Sequence, residues 1–243
     1  MDSVELLHGL SSYFSTILAF LRQLLTGLLE TLRIPFYFTL VVDVVVSTYY
    51  KFCGLSPLTV DLDDQTTMHF WTPYRRQFHK PNLVMIHGYG GDTRLQFIYQ
   101  VPSLSQKFNL YLPDLLFFGK SYSKRPDRTD MFQASCVVKG LKKLGVDRFS
   151  VYSISYGGYV AYEMAEMYPK EVEKVVIVST GVGCSEEQKR EQLKKIGRDP
   201  KELLLPATTS DLRQLVNLTV YKCNPIKWFP DIFLEQFMNV SYF

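Results

Sequence analysis

Apolar positions are spread unevenly along this chain. Residues 6–46 are almost continuously hydrophobic, interrupted by Arg22, Glu30, Arg33, Pro35 and Asp43. Beyond Pro57 the pattern becomes one of short apolar runs between polar turns. Runs 58–63 and 67–72 alternate with period two around Asp63-Asp64-Gln65, which predicts a β-hairpin. Residues 82–86 form an unbroken apolar run ending in His87-Gly88-Tyr89-Gly90-Gly91, as expected of a strand buried on both faces that feeds a glycine-rich turn. A helix is expected over 93–106, a strand over 108–112 stopped by Pro113-Asp114, and a helix over 129–144 closed by Gly145. Strand 149–154, helix 156–168 ahead of Pro169 and strand 174–179 continue the alternation. Residues 185–239 are helical in pattern but broken by Pro200, Pro206, Pro225 and Pro230, so they read as several short helices forming a lid.

Strands alternating with helices predict an α/β fold, a mostly parallel sheet covered by helices on both faces. The implied layout is an apolar helical extension at 1–56, a core at 57–181 and a helical lid region at 182–243. The extension has two readings. Its helices either lie in a membrane interface and bring the protein to lipid, or pack onto the globular domain. A simple transmembrane span is disfavoured, because 34–50 is near the minimum length and carries Asp43 near its middle. Asp2 and Glu5 stand where a secretory signal would be basic, and no small-residue cleavage site follows.

Composition narrows the classes. With 47% hydrophobic and 21% charged residues the chain is globular rather than disordered or polytopic. Its net charge of +3 is small and its basic residues interleave with acids, as over 186–195, so nucleic acid is not an expected partner. Cys53, Cys136, Cys184 and Cys223 lie far apart, with no C-x-x-C pair or adjacent histidine, so neither a metal site nor a cofactor is expected. Nothing resembles a disulfide framework, which favours a reducing, intracellular setting.

The segment that carries chemistry is Val151-Tyr152-Ser153-Ile154-Ser155-Tyr156-Gly157-Gly158. A serine between a buried strand and a helix, with small residues two positions away on each side, has the form of a nucleophile elbow. Gly157 fits that form, and Ser153 replaces the usual first glycine. The helix N-terminus behind Ser155 favours a developing oxyanion.

With these motifs the chain resembles the α/β-hydrolase superfamily, and in particular plant hydrolases of the monoacylglycerol-lipase-like or carboxylesterase-like kind. The resemblance rests on His87-Gly88-Tyr89-Gly90-Gly91, Pro113-Asp114 through Phe118-Gly119-Lys120-Ser121, and Ser153 through Gly158. The lid-like run from Pro206 through Tyr221-Lys222 to Phe237 adds to it. It implies that Ser155 is the nucleophile and that the backbone N–H groups of Tyr89 and Tyr156 form the oxyanion hole. It further implies that His87 and Gly88 shape the oxyanion loop, and that the substrate is a hydrophobic or lipid-like carboxylic ester. Asp114 is expected to fix a turn rather than to serve as triad acid.

In that superfamily the chain order is serine, acid, histidine. Here His8, His69, His79 and His87 all precede Ser155. The expectation is therefore a C-terminally truncated member with its last strands missing, inactive alone, and with an apolar sheet edge at 175–178. The competing expectation is a non-catalytic product, either a hydrolase-like protein that binds a hydrophobic molecule without turning it over or an inert fragment with a membrane-interacting N-terminus.

Overall fold

The computed structural model describes the backbone of residues 3–32, 34–90, 92–197, 199, 202, 204–220, 222 and 224–241, and their side chains except those of 3–14, 30, 35, 36, 225, 240 and 241. Asp2, Arg33, Gly91, Pro200, Tyr221 and Cys223 lie outside the described residues, as do the side chains of Glu5, His8, Glu30, Pro35 and Pro225.

The sheet is ordered β1 (Leu55–Asp61), β2 (Thr66–Pro73), β4 (Asn109–Pro113), β3 (Asn82–Ile86), β6 (Phe149–Ile154) and β7 (Val172–Val178), with the two-residue β5 (Tyr122–Ser123) against β2. Strand β2 runs antiparallel to β1 and β4, while β4, β3, β6 and β7 are mutually parallel neighbours. Parallel strands buried on both faces need apolar residues at every position, and β3 shows why. Val84 and Ile86 enter one core, Leu83 and Met85 the other.

On the first face α5 (Asp130–Lys143) and α6 (Tyr156–Met167) bury Ala134, Val137, Leu141, Val160, Ala161 and Met164. On the second, α2 (Ile34–Phe52) is joined by α3 (Thr93–Phe97) and α4 (Val101–Leu104). Val46 and Tyr50 of α2 are buried there against Leu55, Trp71, Leu83 and Leu112. The Tyr50 hydroxyl donates to the carbonyls of Thr93 (3.3 Å) and Arg94 (2.9 Å). The end of α2 thus belongs to the core, and Gly54 at φ +81° turns the chain from it into β1.

The hairpin, the strands and the two long core helices form where the pattern puts them. The expected helix over 93–106 is instead split into α3 and α4. Pro102 has no N–H for a bond to residue 98 and its ring would meet that carbonyl, so one continuous helix cannot form. Strand β5 has too few residues to leave a period in the sequence.

Helix α1 (Ser3–Thr31) precedes α2, and its Phe20, Leu21, Leu24, Leu25 and Leu28 are each more than half exposed. The helical region after β7, the expected lid, contains among its described residues α7 (Glu186–Ile196), α8 (Thr209–Thr219), a 3₁₀ turn at Pro225–Trp228 and α9 (Asp231–Ser241). Leu212, Leu234 and Met238 form its small core. Phe38 of α2 packs against Phe233 and Phe229, with ring centroids 4.9 and 5.8 Å away, so lid and extension close on each other. At the far end of the sheet β7 has no outer neighbour among the described residues, and Val176 is 51% exposed.

Candidate active site

Strand β6 delivers Ser155 into a turn with φ 54° and ψ −121°. A non-glycine residue held there costs on the order of 1–3 kcal/mol, so the surroundings have to enforce it. The N–H of Ser155 donates to the carbonyl of Val178 at 2.9 Å, and the N–H of Gly158 donates to the carbonyl of Ser155 at 2.9 Å. Ser153, fully buried, donates its hydroxyl to the carbonyl of Val176 at 3.1 Å. The serine in place of the usual glycine thereby ties β6 to β7. At Gly157 a Cβ would lie 2.6 Å from the carbonyl oxygens of Ile86 and His87. Only a bare backbone lets the start of α6 approach β3 so closely.

That approach brings the loop after β3 against the elbow. A Cβ at Gly88 would lie 3.1 Å from the Cβ of Ser155. Tyr89, Phe118 and Tyr156 cluster above, the Tyr89 ring 5.2 Å from Phe118 and 6.2 Å from Tyr156. Burial and the adjacent Asp130 carboxylate push the Tyr156 phenol above its ordinary range. Tyr156 therefore remains a neutral hydroxyl.

His87 is 1% exposed, and both its ring nitrogens are occupied. Nδ1 lies 2.7 Å from the carbonyl of Gly88, and Nε2 2.9 Å from the N–H of Leu115. A carbonyl can only accept and an amide N–H only donate, so the ring is the neutral Nδ1–H tautomer. Burial depresses its pKa further. His87 latches the loop after β3 to the loop after β4.

Asp114 anchors that second loop. Its carboxylate accepts the N–H of Lys120 at 3.1 Å and of Thr93 at 3.3 Å, and pairs with Nδ1 of His69 at 2.9 Å. Burial would raise its pKa, but the hydrogen bond and charge of His69 and the Lys120 N–H hold it below the ordinary carboxylate range. Ser121 completes the loop by donating to the carbonyl of Asp114 at 2.7 Å and accepting the N–H of His69 at 2.8 Å.

Tyr89, Phe118 and Tyr156 form part of the wall of a cavity of about 1240 Å³ between the strand ends, α2 and the lid. Ser155 does not itself line it. Phe38, Val42, Phe229, Phe233 and Phe237 make one side apolar. The other holds an ion-pair network the sequence did not reveal. Arg94, at 14% side-chain exposure, binds Asp43 of α2 and Asp92 at 2.5 Å each, and Ser47 at 2.8 Å. The nearby carboxylates raise the guanidinium pKa despite its burial.

Of the histidines with described side chains, His69 and His87 are engaged as above, and His79 is exposed just before β3, at the opposite end of the sheet from Ser155. None hydrogen-bonds to Ser155. Among the described residues no group of three or more His, Cys, Asp or Glu side chains could hold a metal ion.

A family model described as alpha/beta hydrolase fold matches residues 81–219. Among curated relatives, an uncharacterised protein of Mycobacterium tuberculosis is 32% identical over 112 residues, covering 44% of this chain and 33% of that protein. The mouse (lyso)-N-acylphosphatidylethanolamine lipase is 28% identical over 123 residues, covering 49% of this chain and 36% of that protein. The matched segment thus spans about a third of these relatives' own length. Among solved structures, a bacterial membrane phospholipase A superposes with a TM-score of 0.67 at 22% identity, over 95% of this chain and 72% of that one.

Proposed function

The chain belongs to the alpha/beta hydrolase fold family, and from that premise we propose that it is a serine hydrolase family member directed at hydrophobic, lipid-like carboxylic esters. The observation that carries the proposal is the strained backbone of Ser155, φ 54°, held beside Gly88 and at the start of α6. In this reading the Ser155 hydroxyl attacks the ester carbonyl carbon. The N–H groups of Tyr89 and Tyr156 then receive the charge that develops on the carbonyl oxygen. The apolar wall of the cavity takes the acyl chain, and the lipid chemistry of the mouse lipase and the membrane phospholipase A supports that choice.

A serine hydroxyl needs a base to accept its proton. The placement of His69, His79 and His87 supports low turnover by these 243 residues alone. It equally favours the second reading, a protein that binds a hydrophobic ester without hydrolysing it. We place the protein inside the cell at a membrane surface, with α1 and the outer stripe of α2 against lipid. Among the described residues no helix is long and apolar enough to cross a membrane.

A fluorophosphonate probe, with and without added imidazole as substitute base, tests the assignment of the nucleophile. The expected result is weak labelling that imidazole increases, mapped to Ser155 by mass spectrometry and lost in Ser155→Ala. Labelling elsewhere, or none in the folded chain under either condition, would sink it.

A further inference from the structure

The end of the sheet opposite Ser155 carries a surface that the chemistry above does not use. Leu55 pairs with Pro73 and Asn82 with Asn109, so the segments 51–54, 74–81 and 105–108 lie side by side there. Together they hold Lys51, Arg75, Arg76, His79, Lys80 and Lys107, and not one Asp or Glu. The acids at the same end of the sheet face other cations. Glu171 pairs with Lys142 at 2.6 Å, Glu173 pairs with Arg148 at 3.1 Å, and Asp147 acts on Lys142.

Three aromatic side chains stand among the cations of the patch. Phe52, Tyr74 and Phe78 are 86%, 82% and 89% exposed, although such rings ordinarily gain from burial. Their exposure does not come from a loosely held loop. Asn109, itself 2% exposed, clamps residues 77–80 from beneath: its Oδ1 accepts the N–H of Gln77 at 2.9 Å, and its Nδ2 donates to the carbonyls of Gln77 at 2.9 Å and Lys80 at 2.8 Å. Lys80 donates to the carbonyl of Ser105 at 3.2 Å, Arg76 to that of Gly145 at 2.6 Å, and the N–H of Tyr74 to that of Gly54 at 2.8 Å. The fold fixes the backbone and leaves the rings outside.

The patch also continues the outer stripe of α2. Val41, Val45, Thr48 and Phe52 follow one another at helical spacings of four and three, and all are exposed. An uncharged stripe that ends in exposed rings among Lys and Arg matches the layers of a membrane interface. Acyl chains meet the stripe, rings sit at the level of the head groups, and cations face the phosphates. Cations with no acid among them favour anionic head groups over zwitterionic ones.

We propose that this patch docks the protein onto anionic phospholipid, with Phe52, Tyr74 and Phe78 in the head-group layer and Lys51, Arg75 and Lys107 against its negative charge. The orientation rests on the placement of α1 and α2 at lipid. The preference for anionic lipid rests on the patch alone.

The test is co-sedimentation with vesicles of phosphatidylcholine, either pure or mixed with about 30% phosphatidylserine. Phosphatidylserine should raise binding at least about tenfold at low salt, since each Lys or Arg at such a surface is worth about fivefold. The gain should vanish in about 1 M salt, where the screening length falls to about 3 Å. The triple variant Lys51→Gln, Arg75→Gln, Lys107→Gln should remove most of the gain. These side chains make none of the backbone bonds above, so the fold should persist, as circular dichroism will check. Removing the same charge beside β5 and on α7, by Lys124→Gln, Lys194→Gln and Lys195→Gln, should leave the gain in place. Tyr74→Ser with Phe78→Ser should weaken binding to the mixed vesicles about tenfold. No gain from phosphatidylserine, a gain that survives the patch variant, an equal loss in the control variant, or unchanged binding in the aromatic variant overturns the patch. Pure phosphatidylcholine separates the two readings: a gain from phosphatidylserine without binding to the pure vesicles retains the patch and removes α1 and α2 from lipid.

Discussion

Arg94, in the first turn of α3, holds Asp43 in the middle of α2, with Nη1 2.5 Å from Oδ1. This contact gives a charge in an apolar helix its partner, and it fixes which side of the helix faces the protein. Replacing Arg94 by Met should loosen α2 from the core. A double-mutant cycle with Asp43→Asn, followed by urea denaturation, should show a coupling of about 1 kcal/mol, since Asp43 is 42% exposed and its ion pair is partly screened.

The same contact leaves the outer stripe of α2 without charge. Tyr37, Leu40, Val41, Val44 and Val45 are exposed there, beside the exposed leucines of α1. If these surfaces meet lipid, the chain should co-sediment with neutral phosphatidylcholine vesicles in high salt as well as low, because the attraction is hydrophobic rather than electrostatic. Serine at Leu21, Leu24, Leu25 and Leu28 should abolish co-sedimentation. Binding that disappears in salt would contradict this account.

Strain at Ser155 has a consequence for stability. Ser155→Gly should raise the unfolding free energy by about 1–2 kcal/mol, because glycine tolerates φ 54°. Ser155→Ala keeps the Cβ and the strain, and should leave stability nearly unchanged. Equal stability of the two variants in thermal denaturation would show that the turn is relaxed in solution.

Acid should destabilise the protein in two stages. His87 has a depressed pKa through burial, so the unfolded chain binds its proton first. Stability is then lost as pH falls below about 6.5, with a slope of up to about 1.4 kcal/mol per pH unit. Asp114 also has a depressed pKa. Its contribution is complete above about pH 4 and is lost as pH falls through the lower folded value. Urea titrations between pH 8 and 3 should show both stages, and His87→Gln should remove the first. Asp114→Ala should cost about 3–5 kcal/mol near neutrality by leaving buried donors without an acceptor.

Much of the core was legible in the sequence because period and punctuation are local. The run 82–86, the alternation over 67–72 and the glycines after Ser155 each record the environment of single residues on one element. The elbow is visible for the same reason, since a turn of that sharpness admits only small neighbours. The split between α3 and α4 was legible in principle at Pro102 but is masked by apolar residues on either side.

By itself, the sequence determined an α/β sheet, a strand-to-helix turn at Ser155 and histidines that all precede it. Tertiary structure alone decided where the side chains of distant segments meet. Asp43 looked like an obstacle to burial until Arg94, far along the chain, was found against it. Chain order already set His87 apart from a catalytic role, but its two bonds, to Gly88 and to Leu115, emerged only from the fold. His69 and Trp71 came to line the same cavity as Phe38 of α2 and Phe233 only once the fold brought these segments together. Hydrogen bonds, ion pairs and cavities arise between residues that the fold brings together, and a pattern read along one chain carries no record of which partners will meet.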